Sequence, residues 1–158
     1  MRRTHSAARI GFSLFILTAM LLGRSNAAPV TIDGAQCRAV DPSTAPAERD
    51  VYGATNLGEP GAITCGLLRS AQTTTGLRSV RVTVNTGAGS PSSYCTVFSV
   101  SSDGSFLTAE SKTVSSAASA LDVIDFGASI NVSSATSSYG VECSLAKYGG
   151  IMTVIYDE

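Results

Sequence analysis

Tryptophan is absent from the chain, histidine occurs once, at His5, and charged side chains make up only 15% of it. No long stretch repeats apolar residues at the i, i+3, i+4 spacing of an amphipathic helix. Each absence excludes something. Without tryptophan there is no buried Trp of the kind that marks an immunoglobulin domain. With His5 as the sole histidine, the body of the chain cannot build a Ser-His-Asp triad, a Cys-His pair or a histidine-ligated metal site. No serine stands in a G-x-S-x-G elbow. No D-x-D-x-D-G run offers converging oxygens to calcium. Asp122 and Asp125 are three apart, so on a strand they point to opposite faces and do not form an acid/base pair. These absences predict a protein that is not an enzyme and has no cofactor and no metal site.

The N-terminal residues fit a secretory signal. Arg2, Arg3, His5 and Arg9 precede an apolar run over residues 10–22, and Ser25-Asn26-Ala27 places small residues for cleavage after Ala27. The run is shorter than the roughly 18–20 residues of a membrane span. The expectation is therefore a signal peptide over 1–27 and one secreted or periplasmic domain over 28–158, with no membrane span after cleavage. Removing Arg2, Arg3, Arg9 and Arg24 leaves seven basic residues against twelve acidic ones, a net charge of −5. That balance argues against nucleic acid and anionic membrane surfaces as partners.

Cys37, Cys65, Cys95 and Cys143 form an even set without C-x-x-C spacing, so two disulfides are expected rather than a redox motif or zinc ribbon. Four cysteines allow three pairings. Cys37–Cys65 and Cys95–Cys143 are favoured, the first bracketing the N-terminal region and the second joining two strong strands.

What the chain does contain is alternation. Tyr139, Val141, Cys143 and Leu145 fall on one face of a strand, with Gly140, Glu142 and Ser144 on the other. Residues 151–156 are apolar on both faces, which predicts an interior strand. Residues 146–150, ending in Gly149-Gly150, suit a hairpin connection between the two. Val80, Val82 and Val84 alternate with polar residues, and residues 94–100 are apolar on both faces. Asp103-Gly104 predicts a type I′ hairpin turn. Further strands are expected over 29–36, 51–56, 62–68, 105–114, 121–126 and 130–132, while residues 41–50 look like a loop. The sum is an all-β, antiparallel β-sandwich of eight or nine strands with two disulfides, a jelly roll being the variant expected.

For a binding surface, Tyr52 and Tyr148 are the tyrosines best placed for solvent. Residues 85–93, which include Asn85 and Ser90, form the longest Gly/Ser-rich gap and the most natural exposed loop. Tyr94, Tyr139 and Tyr156 lie on predicted strands and are assigned to the core or to sheet edges. Asn131-Val132-Ser133 matches a glycosylation sequon.

Several short segments together carry a resemblance: Tyr52-Gly53 with Asn56, Ile63-Thr64-Cys65, the valines at 80–84, Tyr94-Cys95-Thr96, Tyr139-Gly140-Val141-Glu142-Cys143, and the last strand. Over most of residues 37–158 the chain resembles a group of small secreted bacterial proteins of unknown function. That resemblance implies a β-sandwich with two disulfides and no activity. The functional expectation is a non-enzymatic module working by surface contact with an unknown protein or glycan. A carbohydrate-binding module and an inhibitor of an extracellular enzyme are the alternatives.

Overall fold

The computed structural model describes residues 28–43, 47–50, 53–58, 60–68, 76–88, 92–115, 117, 120–127 and 138–158. The expected signal, the expected strand at 130–132 and the sequon at Asn131 lie outside them. In chain order the strands are β1 (Val30–Asp33), β2 (Arg38–Ala39), β3 (Ala47–Asp50), β4 (Gly53–Asn56), β5 (Gly61–Leu67), β6 (Ser79–Asn85), β7 (Ser92–Val100), β8 (Phe106–Ser115), β9 (Leu121–Asp125), β10 (Ser138–Leu145) and β11 (Gly150–Asp157). A single 3-10 turn, Gly34–Gln36, links β1 to β2.

Two antiparallel sheets form a sandwich. The first has the order β3-β4-β11-β6-β9, with β1 also paired to β11; the second has the order β2-β5-β10-β7-β8. Side chains from both inner faces make one core, including Val80, Val82, Val84, Ile151 and Val154 from the first sheet and Ile63, Val97, Val141 and Leu145 from the second. The period-two reading of β10 holds: Tyr139, Val141, Cys143 and Leu145 are buried. Both disulfides, Cys37–Cys65 and Cys95–Cys143, are those the sequence favoured. They lie on the inner face of the second sheet, and Cys95 and Cys143 are direct cross-strand partners.

Eleven strands are present among the described residues, where turn spacing predicts eight or nine. The short β2 and β3 account for the excess. Residues 47–50, expected in a loop, pair with β4 from Ala47↔Asn56 to Asp50↔Gly53. Such short edge strands are set by a partner's free hydrogen-bonding groups rather than by their own periodicity.

The expected hairpin between β10 and β11 does not form. The two strands are the middle strands of different sheets, and residues 146–149 cross from one sheet to the other. Both strands are paired along each side, so neither has an edge left for the other. Asn56, 1% exposed, clamps this crossing. Its Nδ2 donates to the carbonyls of Leu145 and Ala146, each at 3.4 Å. Its backbone N donates to Gly149 O at 2.8 Å, and its carbonyl accepts from Tyr148 N at 2.7 Å. Three residues earlier, Gly53 has φ +135°, and a Cβ there would stand 3.0 Å from Met152 Cα and closer still to the Ile151 carbonyl oxygen. Met152 is the extra residue of a bulge between Ile151 and Thr153. The bulge restores an inward direction for Val154 and Tyr156.

The Asp103-Gly104 turn departs from type I′. Only Gly104 has a positive φ there, +86°. Gly104 N donates to Ser101 O at 3.0 Å and Ser101 N to Ser105 O at 2.9 Å. This is a three-residue hairpin loop closed by a glycine in the left-handed region. The Asp103 carboxylate accepts from Ser105 N at 2.9 Å and from the Ser101 hydroxyl. Those bonds, the Ser101 hydroxyl foremost, lower its pKa to about 2.

Two predictions follow from this geometry. Asn56→Ala leaves the buried carbonyls at the crossing without their donor and should destabilise the fold by about 2–3 kcal/mol, read as a lower urea midpoint at unchanged slope. The depressed Asp103 pKa means its stabilising contribution is complete above the unfolded value, ~3.9, and disappears as pH falls through about 2. Asp103→Asn should therefore flatten the fall in thermal midpoint between pH 4 and pH 2; parallel curves for the two proteins would refute the assignment.

Candidate functional site

Because Cys95 and Cys143 face the core, their even-numbered neighbours on β7 and β10 face outward. Tyr94, Thr96 and Phe98 of β7 thus share the outer face of the second sheet with Gly140, Glu142 and Ser144 of β10. Thr64 and Gly66 of β5, and Ala109 and Ser111 of β8, extend the same face on either side.

Tyr94 is 48% exposed, so its assignment to core or sheet edge is corrected: it stands on the open face of an interior strand. The two-sided apolar character of residues 94–100 carried the signal. Once Cys95 is fixed inward by its disulfide, Tyr94 and Phe98 have only the outer face available. Hydrogen bonds to Ser111, then Thr96, hold the pKa of the Tyr94 hydroxyl below the ordinary phenol value. Ser111 and Thr96 are in turn bonded to each other at 2.9 Å.

Beside that ring lies a groove of about 420 Å³, lined by Pro60, Gly61, Ala62, Ser92, Tyr94, Ser144, Leu145 and Ala146. Its volume is that of a small-ligand site, and its lining mixes one aromatic ring and aliphatic surface with two serine hydroxyls. Leu145 and Ala146 begin the crossing that Asn56 clamps, so one wall of the groove is fixed by that buried asparagine.

Of the expected surface residues, Tyr52 and Ser90 lie outside the described residues. Asn85 and Tyr148 come together at the end of the sandwich where β10 crosses to β11. Asn85 pairs with Gly150, and Ala88 N donates to Lys147 O at 2.8 Å. The two differ in availability. Asn85 is half-buried and its Oδ1 accepts from Gly87 N at 3.0 Å, so it shapes the turn. Tyr148 is 51% exposed, with the Lys147 ammonium 5.2 Å from its ring centroid. Its φ of +62° is in the left-handed region, unusual for an aromatic residue.

Among the described residues no three His, Cys, Asp or Glu side chains converge as a metal site. Asp125, on the outer face of the first sheet, pairs with Arg81 at 3.3 Å. What the Tyr94 face offers is a flat aromatic surface with hydroxyls at its rim.

No family model matches the chain, and no curated protein matches it either. Among solved structures, the chain is similar to the arabinose-bound MgGH51 α-L-arabinofuranosidase at 16% identity and TM-score 0.38, covering 83% of this chain and 22% of that one. It is also similar to a structure described as carbohydrate-binding modules of the β-sandwich superfamily, at 14% identity and TM-score 0.39, covering 84% and 52%. A CBM4 structure follows at 13% identity and TM-score 0.36, covering 82% of each chain. The chain thus spans about a fifth and about half of the first two, and at these scores none of the three bears on its ligand.

Proposed function

We propose that this chain is a non-enzymatic, exported module that binds a glycan on the outer face of its second sheet, at the Tyr94 groove. The observation that carries this reading is the half-exposed Tyr94 ring on the open face of the sheet, beside a groove edged by Ser92 and Ser144. A sugar ring is apolar on its C–H faces and polar around its rim. An aromatic ring, with few rotatable bonds, offers contact area to such a face at little cost in side-chain entropy, and the serines supply hydroxyls to its edge. Export is part of the proposal, because both structural disulfides require an oxidising compartment. Tyr148 is a secondary contact in this reading, and Asn85 serves to shape the turn beside it.

The test is retention of the oxidised protein on insoluble peptidoglycan, chitin and cellulose. Tyr94→Ala should weaken retention on the polymer that binds by about tenfold, equivalent to ~1.4 kcal/mol of lost stacking. Tyr148→Ala should weaken it less. Full retention by Tyr94→Ala on every polymer the parent protein binds would refute the site.

A further inference from the structure

Building on the glycan-binding reading, we infer that the ligand is a linear glycan bearing protonated amines, laid along β7 and β10 with Glu142 contacting an ammonium group between two aromatic platforms. Tyr94 is the first platform. Phe98 is the second, four residues further along β7, about 13 Å away at the ordinary rise of a strand. Phe98 leans sideways over its cross-strand partner Gly140: a Cβ on that glycine would meet Phe98 Cζ at 2.5 Å. On its other flank Phe106 packs edge-on, with ring centroids 5.7 Å apart. Beyond Gly140 in the same cross-strand row comes Gly66, whose Cβ position is open space. Two glycines in one row leave the floor low around the Phe98 ring.

Glu142 lies midway. It is paired with Thr96, so it is the diagonal neighbour of both Tyr94 and Phe98, about 7–8 Å from each in antiparallel geometry. The hydroxyls around it are already committed, Thr64 Oγ1 to the Val141 carbonyl at 3.2 Å and Thr96 Oγ1 to Ser111. Among the described residues no cation pairs with the Glu142 carboxylate; the ion pairs there are Arg81–Asp125 and Lys112–Glu110. Arg38 shares the row but stands two strands away, about 9–10 Å at normal strand spacing. A carboxylate on the diagonal of two aromatic residues attracts an ammonium group through a charge-assisted hydrogen bond, and ring quadrupoles add to this where the cation comes within about 6 Å of a ring.

The same face disfavours an extended basic peptide. β7 and β10 are each paired on both sides, so a peptide laid along them would find no backbone partners of the kind strand addition uses. A glycan needs only ring faces and side chains.

The experiment is calorimetric titration of the oxidised protein with a glucosamine hexamer, an N-acetylglucosamine hexamer, cellohexaose and a lysine-rich hexapeptide. The glucosamine hexamer should bind about tenfold more tightly than its acetylated counterpart, with an advantage that shrinks as salt is raised. Glu142→Gln should abolish that advantage, with an unchanged thermal midpoint reporting an intact fold. Phe98→Ala should weaken binding of the glucosamine hexamer more than that of a glucosamine dimer, which is too short to reach both platforms. Equal affinity for the two amino-sugar hexamers, before and after Glu142→Gln, would overturn the inference while leaving glycan binding in place. Binding of no oligosaccharide at all would overturn both, and binding of the peptide alone would replace the glycan with a basic protein partner.

Discussion

The crossing from β10 to β11 is the constraint on which the remaining architecture rests. These are the middle strands of the two sheets, and four residues carry the chain between them. So short a connection works only if its orphaned carbonyls are satisfied inside the protein, because an unpaired buried backbone group costs as much as a lost hydrogen bond. Asn56 supplies those partners from β4. Its side chain bonds the end of β10 while its backbone bonds the turn. Gly53, at the other end of the same short strand, allows β4 to approach the bulge at Met152 where a side chain would collide. The spacing of Gly53 and Asn56 thus has a physical meaning: one residue removes bulk, the other adds hydrogen bonds, and together they seat β4 on β11.

Two disulfides lie beneath the outer face of the second sheet and fix the register of its strands. Cys95–Cys143 joins β7 to β10 between the Tyr94–Ser144 and Thr96–Glu142 pairs. Any slip in register would break that bond, so the outward residues on either side of it hold fixed relative positions. Cys37–Cys65 does the same for β2 on β5. With loops of 28 and 48 residues, each bridge contributes about 4 kcal/mol through the unfolded chain. Their location therefore matters beyond stability. Both stiffen the sheet that carries Tyr94, Glu142 and Phe98.

The open flank of the sandwich, between the edge strands β8 and β9, is closed by a charge. Lys112 lies opposite Cys95 and so leans toward the core side of β8. Its ammonium donates to the Asp125 carbonyl at 2.7 Å and sits 5.6 Å from the Phe126 ring centroid. A lysine placed this way bridges the two sheets and discourages another strand from docking on β8, the longest strand and an edge. Its methylenes can cover apolar surface while the charge stays at the rim.

Much of the fold was legible in the residues themselves. Alternation named the inward faces of β6 and β10, and two-sided apolarity marked β7 and β11 as interior strands, because a side-chain period of two is a property of the extended backbone alone. The cysteine pairing favoured from the sequence is the one observed. Strand partnership was not legible: a short glycine-ended connection suits a hairpin and a crossing equally, and only occupied edges on both β10 and β11 decided for the crossing. β3 escaped notice for the same reason, since its pairing comes from β4's free edge. Tyr94 is the clearest case at the candidate site. Its position on an interior strand could be read from local pattern, but its exposure could not, because an interior strand of a sandwich still has one face toward water, and which face that is depends on where the second sheet packs.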